Sequence, residues 1–385
     1  MEISRIVSDF PRSGIRKMSA LTLSMENVIS LCIGEPDLDT PSHIIEAASK
    51  ALRAGFTHYA PSGGLLELKE AVARRYSNAT GLEYGPENVI ITTGTTQGLL
   101  HSFLGVLNPG DEVLVPDPYY PNYLGQFHIA GIKAVTVPVS EDNGFRLQAG
   151  DLEKAITPAT KAVLLNSPNN PTGAVLERED LEKISEIVKR YDLTVISDEV
   201  YDSIIYDDLS YCSMAQIPGM QDRVIVHNGF SKTYAMTGWR LGYIVAPSKY
   251  VEQSVYLQEA LISCAPTFTQ VAAAAALNGS QACVAEMVAI YTRRRTIVLD
   301  GLNDIPGVSC CRTGGAFYAF PNISSFGKSS EDFAIDLLKK DKVATVPGSY
   351  FGKNGEGHLR LSFAASDEDL AEAIRRIRKY VLENC

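Results

Sequence analysis

Read from its residues, the chain is an α/β protein, with a large domain built on a mostly parallel, mixed sheet flanked by helices and a smaller α/β domain after it. Three observations predict this. Short apolar runs alternate with amphipathic stretches of helical period between residues 89 and 196, the pattern of buried, largely parallel strands joined by crossover helices. Polar motifs fall at or just past the C-terminal ends of these runs, at Gly94, Asn170, Asp198 and Lys232, and that rim is where open α/β sheets bind ligands. Beyond Arg240 the composition turns to long helices and then to a compact second α/β stretch. The expected division is residues 1–40 as an N-terminal segment packing with the small domain, 41–290 as the large domain and 291–385 as the small one.

Taken in order, the first forty residues read as irregular and end in G-E-P-D-L-D-T-P at 34–41, where Gly and Pro fix an extended turn. Thr40-Pro41 opens a helix carrying Ile44, Ile45, Ala48 and Leu52 at helical spacing. The loop Y-A-P-S-G-G at 59–64 precedes a helix over 65–76, and a buried strand over 89–92 runs into T-G-T-T-Q-G and the helix of Leu99, Leu100, Phe103 and Leu104. Strands follow at 112–115, which ends in P-D-P-Y-Y-P, at 134–137, and at 161–165 before N-S-P-N-N-P-T-G. A helix over 178–191 leads to a strand at 193–196 whose end carries S-D-E-V-Y. Long helices are expected over 250–261, 266–277 and 282–302. The last stretch reads as strands 308–311 and 316–320, helix 331–339, strands 343–346 and 358–363, and helix 368–382.

Bulk properties narrow the function. A length of 385 residues allows two lobes, and 45% hydrophobic with 21% charged content is ordinary for a soluble globular protein. A net charge of −10 argues against nucleic acid or an anionic membrane surface as partner. The seven cysteines lack the spacing of a disulfide framework or a zinc site, so no metal is expected. Reduced thiols and the lack of a signal-like apolar segment lead us to expect a cytoplasmic protein. The most apolar helical stretch, around 271–277, is too short for a membrane span.

The chemistry centres on V-I-V-H-N-G-F-S-K-T-Y-A-M-T-G-W-R-L-G at 224–242. A strand leads into a tight turn with Ser231 and Lys232, and a loop then places Arg240 before a second apolar run. Desolvation beside a buried strand lowers a lysine pKa and frees the amine for Schiff-base chemistry. An arginine on the following loop suits a phosphate. Likewise, the T-G-T-T-Q-G turn presents helix N-terminal amides to an anion, although Thr95 or Thr96 could equally be a plain helix cap. Each residue has an ordinary alternative when taken singly. Lys232 and Arg240 could be surface residues, Asp198 a cap, Arg360 a surface ion pair, and Tyr120 and Tyr201 core aromatics.

Together, with the S-G-I-R-K start at 13–17 and H-L-R-L-S-F at 358–363, these motifs resemble the fold-type I, pyridoxal-phosphate-dependent aminotransferases of class I/II over nearly the full length. The likeness is greatest to the branch with aspartate, aromatic and broad-specificity enzymes. That resemblance implies that Lys232 carries pyridoxal 5'-phosphate as a Schiff base and moves the Cα proton. Asp198 would hold the pyridine nitrogen protonated, Tyr201 and Asn170 would hydrogen-bond the phenolic oxygen, and Tyr120 would stack on the ring. Gly94, Thr95, Thr96, Ser231 and Arg240 would cradle the phosphate. Arg360 would clamp the substrate carboxylate with help from Asn170 and the Gly34 backbone. Tyr59 would reach the neighbouring subunit's phosphate in a homodimer.

Two departures bear on this. Position 229 is glycine where many relatives have a phosphate-binding serine, and position 96 is threonine where a group of aspartate-using relatives has a lysine. The second weakens an aspartate assignment and favours aromatic or broad specificity, with a 2-oxo acid such as 2-oxoglutarate as acceptor in a ping-pong exchange. A carbon–sulfur β-lyase would keep the same lysine, aspartate and arginine and stands as the alternative. A non-catalytic cofactor-binding regulator stands further off, because the sequence carries no basic patch or spare module for DNA.

Overall fold

The computed structural model describes residues 1–11, 14–23 and 25–385. Its centre is a seven-stranded sheet formed by β2 (Val89–Thr92), β3 (Glu112–Asp117), β4 (Lys133–Pro138), β5 (Thr160–Asn166), β6 (Thr194–Asp198), β7 (Val224–Gly229) and β8 (Gly242–Val245), numbered so that the short β1 (Ile29–Ser30) precedes them. The strand order is β2-β8-β7-β6-β5-β3-β4. Neighbours from β7 through β4 run parallel, and β8 runs antiparallel to both β7 and β2. Every residue of β2, β7 and β8 is buried, as a sheet covered by helices on both faces requires. The helix Gly94–Val106 packs on β6, β7 and β8, while Ser42–Arg53 and Leu66–Thr80 pack against Thr267–Asn278.

The C-terminal part contains β9 (Tyr318–Ala319), β10 (Val343–Ala344), β11 (Val346–Pro347) and β12 (Leu359–Ser362). Strand β12 lies between β11 and β9, antiparallel to each. Strand β1 pairs in parallel with β10, Ile29 opposite Val343, so the N-terminal segment shares hydrogen bonds with the C-terminal part. The long helices Ala282–Asn303 and Asp367–Asn384 pack together beneath it.

Three expectations are corrected here. The first forty residues are not wholly irregular, because Arg5–Ser8 and Gly14–Thr22 are helical and β1 is a strand. The 308–311 run forms no strand, only a single bridge from Ser309 to Asn322. The 343–346 strand is two, because the chain changes partner at Thr345 from β1 to β12. Among the described residues no single helix is long and apolar enough to cross a membrane, although the bent pair Thr267–Asn278 and Ala282–Asn303 is so by length and composition.

Candidate active site

The C-terminal ends of β5, β6 and β7 open into one cavity of about 330 Å³. Lys232, Asp198, Asn170, Tyr201 and Tyr120 line its floor and walls, Thr95, Thr96, Ser231 and Arg240 one end, and Gly34 and Arg360 the other. Parallel register explains the convergence, since Asn166 pairs with Asp198 and Asp198 with His227 across β5, β6 and β7. The motif residues thus emerge side by side at one rim.

Lys232 follows β7 in a tight turn, and its Nζ donates to Gly34 O at 2.6 Å. Burial of the ammonium lowers its pKa to about 8, the Glu35 charge opposing this and Arg360 and Arg240 reinforcing it. Asp198 is 5% exposed. Its Oδ2 accepts the Tyr123 hydroxyl at 2.7 Å, and its Oδ1 faces the Val200 amide at 3.4 Å. Burial raises its pKa to about 6, against the pull of the Tyr123 hydrogen bond. A carboxylate can accept about four hydrogen bonds, so this one keeps capacity for a cationic partner in the cavity.

At one end of the cavity the helix Gly94–Val106 starts from Thr93, whose side chain makes no capping hydrogen bond. Neither Thr95 nor Thr96 is the cap. Its leading amides lack intrahelical acceptors and carry the positive end of the helix dipole. Gly94 has φ +79°, and a Cβ there would come within 2.7 Å of Arg240 Nη2. Arg240 sits at φ +52° with its Nη1 donating to Thr237 O at 2.7 Å. A Cβ on Gly229 would lie 2.9 Å from Thr95 Oγ1 and 3.1 Å from Leu241 O, so the Thr95 hydroxyl fills the place beside position 229. Open amides, a guanidinium and two hydroxyls, Thr95 and Ser231, form a cup whose charge and donors suit a phosphate.

At the other end Arg360 is 1% exposed on β12. Its Nη1 donates to Asn170 Oδ1 at 3.3 Å and its Nη2 to Cys32 O, while Nε has no hydrogen-bond partner among the described residues. The Tyr318 and Phe351 rings pack on the guanidinium, with centroids 4.8 and 5.1 Å from Cζ. A buried guanidinium without a carboxylate partner is ready to take one.

Two site residues escaped the sequence reading. Tyr123 meets Asp198 directly, and Tyr318 shares a 2.7 Å hydroxyl–hydroxyl hydrogen bond with Tyr201. Spacing gave a signal for Tyr123, which lies three residues past Tyr120, just inside the helix Asn122–Ala130, and packs edge-on to it at 5.4 Å. Tyr59 is not brought into the cavity. It is 88% exposed and lines a separate surface depression with Phe56, Pro266 and Phe268. Among the described residues there is no His, Cys, Asp and Glu group suited to a metal ion.

A lysine, a carboxylate, a phosphate cup and a carboxylate-seeking arginine around one cavity define an enzyme that works on amino acids through an aldehyde-bearing phosphate cofactor. The chain belongs to the aminotransferase class I and II family, whose model matches residues 26–377. It is 46% identical over 374 residues to aromatic-amino-acid aminotransferase 2 of Thermococcus litoralis and, over the same length, 46% identical to an aspartate aminotransferase of Pyrococcus abyssi, each match covering 96% of both chains. The crystal structure of the aromatic aminotransferase from Pyrococcus horikoshii superposes with a TM-score of 0.91 at 45% identity, covering 96% of this chain and 99% of that one. The protein is therefore an amino-acid aminotransferase of a pyridoxal-phosphate-dependent family, and its sheet and helices are those of that fold.

Proposed function

We propose that the protein exchanges the amino group of an aromatic or medium-sized apolar L-amino acid with a 2-oxo acid such as 2-oxoglutarate, in ping-pong order, as a cytoplasmic homodimer using pyridoxal 5'-phosphate. The observation that carries the substrate reading is the set of cations lining the cavity among the described residues. Lys232 is committed to the cofactor, Arg240 to the phosphate end and Arg360 to the α-carboxylate, while Thr96 offers no charge to a side-chain carboxylate. Ile33, Leu99, Tyr120 and Tyr318 supply apolar and aromatic surface instead. The relatives named for aromatic amino acids support the same choice, although others are named for aspartate.

The fit to the cofactor rests on the open helix amides beside Gly94 and on the unfilled acceptor capacity of Asp198. When bound, pyridoxal phosphate supplies an aldehyde that condenses with amines and a ring that stabilises negative charge at the adjoining carbon. Thr95, Thr96, Ser231, Arg240 and the Gly94 amide would hold its phosphate. Asp198 would hold a proton at the ring nitrogen, with Tyr123 fixing which oxygen faces it. Asn170 and Tyr201 would hold the phenolic oxygen, and Tyr120 would cover one ring face. Arg360 would orient the substrate by its carboxylate in a planar fork. Lys232 Nζ, with a pKa near 8, is a base matched to neutral pH and would move the proton at the substrate Cα.

A panel of amino donors and 2-oxo acids tests this reading. Aromatic donors should outperform aspartate in kcat/KM, with one new amino acid formed per 2-oxo acid released. Release of pyruvate and ammonia from cystathionine or cystine without an acceptor would instead establish the β-lyase. An aspartate preference would sink the specificity argument from Thr96.

A further inference from the structure

The turn after β3 and the loop before β12 meet at a carboxylate that the reaction does not use. Asp117 ends β3 and is 1% exposed. Its Oδ2 accepts the Lys353 amide and its Oδ1 the Asn354 amide, both at 3.2 Å. Beside it, Tyr119 N donates to Phe351 O at 2.7 Å. Between these contacts Gly352 stands at φ +123°, where a Cβ would fall 2.0 Å from Asp117 Oδ1. The two segments close on each other only because that position has no side chain. Burial pushes the Asp117 pKa upward, and the Asn354 and Lys353 hydrogen bonds oppose it.

The pinned loop reaches residues that line the cavity at two places. Phe351 is fully buried with its ring 5.1 Å from the Arg360 guanidinium. Tyr350 packs so closely on the helix Gly14–Thr22 that a Cβ on Gly14 would fall 2.2 Å from its ring, and the next residue, Ile15, lines the cavity. Three residues after Asp117 comes Tyr120, on the cavity wall.

We propose that Asp117 is a positioning residue for the carboxylate clamp: by pinning the backbone at 351–354 it seats Phe351 against Arg360 and so fixes the plane in which the guanidinium meets a substrate carboxylate. The inference rests on the reading of Arg360 as the carboxylate-binding group. A planar fork pairs with a carboxylate only when its plane is set, and Arg360 is held at its far end by two acceptors, Asn170 Oδ1 and Cys32 O, with Nε unpartnered among the described residues. Ring packing supplies the remaining constraint, and a supporting shell that loosens by a fraction of an ångström degrades such a contact. In Asp117→Asn the amide nitrogen cannot accept, so one loop amide loses its partner.

The test compares holoenzymes carrying Asp117→Asn, Phe351→Leu, both together, and Arg360→Ala. Affinity for 3-phenylpropanoate, a non-reacting aromatic monocarboxylate, is read from the cofactor absorbance, alongside amino-acid kinetics and binding of 2-phenylethylamine, which lacks the carboxylate. Asp117→Asn should weaken 3-phenylpropanoate binding about tenfold and raise KM for the amino donor in proportion, with kcat changed far less. Amine binding should stay as in the wild type, and the double variant should be no worse than Phe351→Leu alone. Unchanged carboxylate affinity in Asp117→Asn, with a large loss in Arg360→Ala, would overturn the proposal alone. Equal weakening of acid and amine would reduce Asp117 to a structural role. Unchanged affinity in Arg360→Ala would remove the Arg360 reading first, and Asp117 with it. If Asp117→Asn does not fold, Phe351→Leu carries the test, with the same tenfold loss expected and its absence decisive against the idea.

Discussion

Asp198 and Glu199 are neighbours at the end of one strand, yet their carboxyls meet two different regions. Side chains alternate along a strand, so Asp198 looks into the cavity and Glu199 into the packing behind the sheet. Both are buried, and burial raises both pKa values, to about 6 for Asp198 and about 7 for Glu199. What separates them is satisfaction. Glu199 accepts the hydroxyls of Ser197 and Ser213 on Oε1, at 2.9 and 2.6 Å, and that of Tyr76 on Oε2 at 2.8 Å. Asp198 accepts one hydroxyl and one long amide contact. A shifted pKa by itself does not mark a site. Unfilled acceptor capacity aimed into a cavity does, and of these two carboxyls Asp198 has it.

The largest expected effect lies on the cavity side and bears on whether Lys232 is its reactive amine. Lys232→Ala should fold, lose the borohydride-reducible link to cofactor, and fall in turnover by about 10³-fold or more. Peptide mapping that finds the link on another lysine would break the assignment. Next, Asp198→Asn should lower kcat by about 10²–10³-fold while cofactor still binds, and Glu199→Gln should leave kcat nearly unchanged. The reverse ranking would overturn the comparison outright. Tyr123→Phe, which removes the shorter of the two hydrogen bonds to Asp198, should cost about tenfold in kcat. If it costs nothing, Tyr123 does not set the orientation of Asp198.

How much could be read in the residues follows from the same contrast. The strands of the large sheet were legible because V-I-I-T and V-I-V-H-N-G are buried on both faces and need no partner in sequence to explain them. The C-terminal strands were less so, since β9, β10 and β11 are two residues each, and pairing across the chain decides where they stop. Thr345 looks like mid-strand until β1 and β12 take opposite sides of it. Lys232, Asp198 and Asn170 were legible because turn chemistry at strand ends singles them out, whereas Arg360, inside β12, was legible only through the likeness of H-L-R-L-S-F to a known family motif. Tyr318 was not, because G-G-A-F-Y-A-F reads as core and its hydroxyl contact with Tyr201 depends on residues 117 positions apart in sequence.

The region behind the sheet can be tested on its own through pH. The Glu199 pKa in the folded protein, about 7, lies above the ordinary 4.5, so the folded state holds this proton more tightly than the unfolded chain. Stability from this group is therefore greatest below about pH 4.5 and is lost as pH rises to about 7, a difference on the order of 3 kcal/mol. In the apoprotein, Glu199→Gln should remove its share of the slope in the unfolding free energy up to about pH 7, while the slope from Asp198 remains between its ordinary 3.8 and about 6. An unchanged pH profile in Glu199→Gln would mean that the three hydroxyls keep Glu199 ionised throughout.

The smallest expected effect concerns a side chain that touches neither carboxyl. Tyr59 is 88% exposed beside an apolar surface depression that includes Leu52 and Phe56. A large aromatic standing in solvent on apolar surroundings suits an interface, and two-fold dimers are the commonest closed assembly. If its hydroxyl completes the phosphate cup of a second copy, Tyr59→Phe should leave the sedimentation coefficient of the dimer unchanged and weaken cofactor binding by about 1 kcal/mol, roughly five- to tenfold in Kd. Removing the ring in Tyr59→Ala should weaken the dimer as well. The two readouts separate the roles of ring and hydroxyl: a fully active monomer at assay concentration would show that each cavity is complete without the other chain, and an unaltered cofactor Kd in Tyr59→Phe would confine Tyr59 to packing.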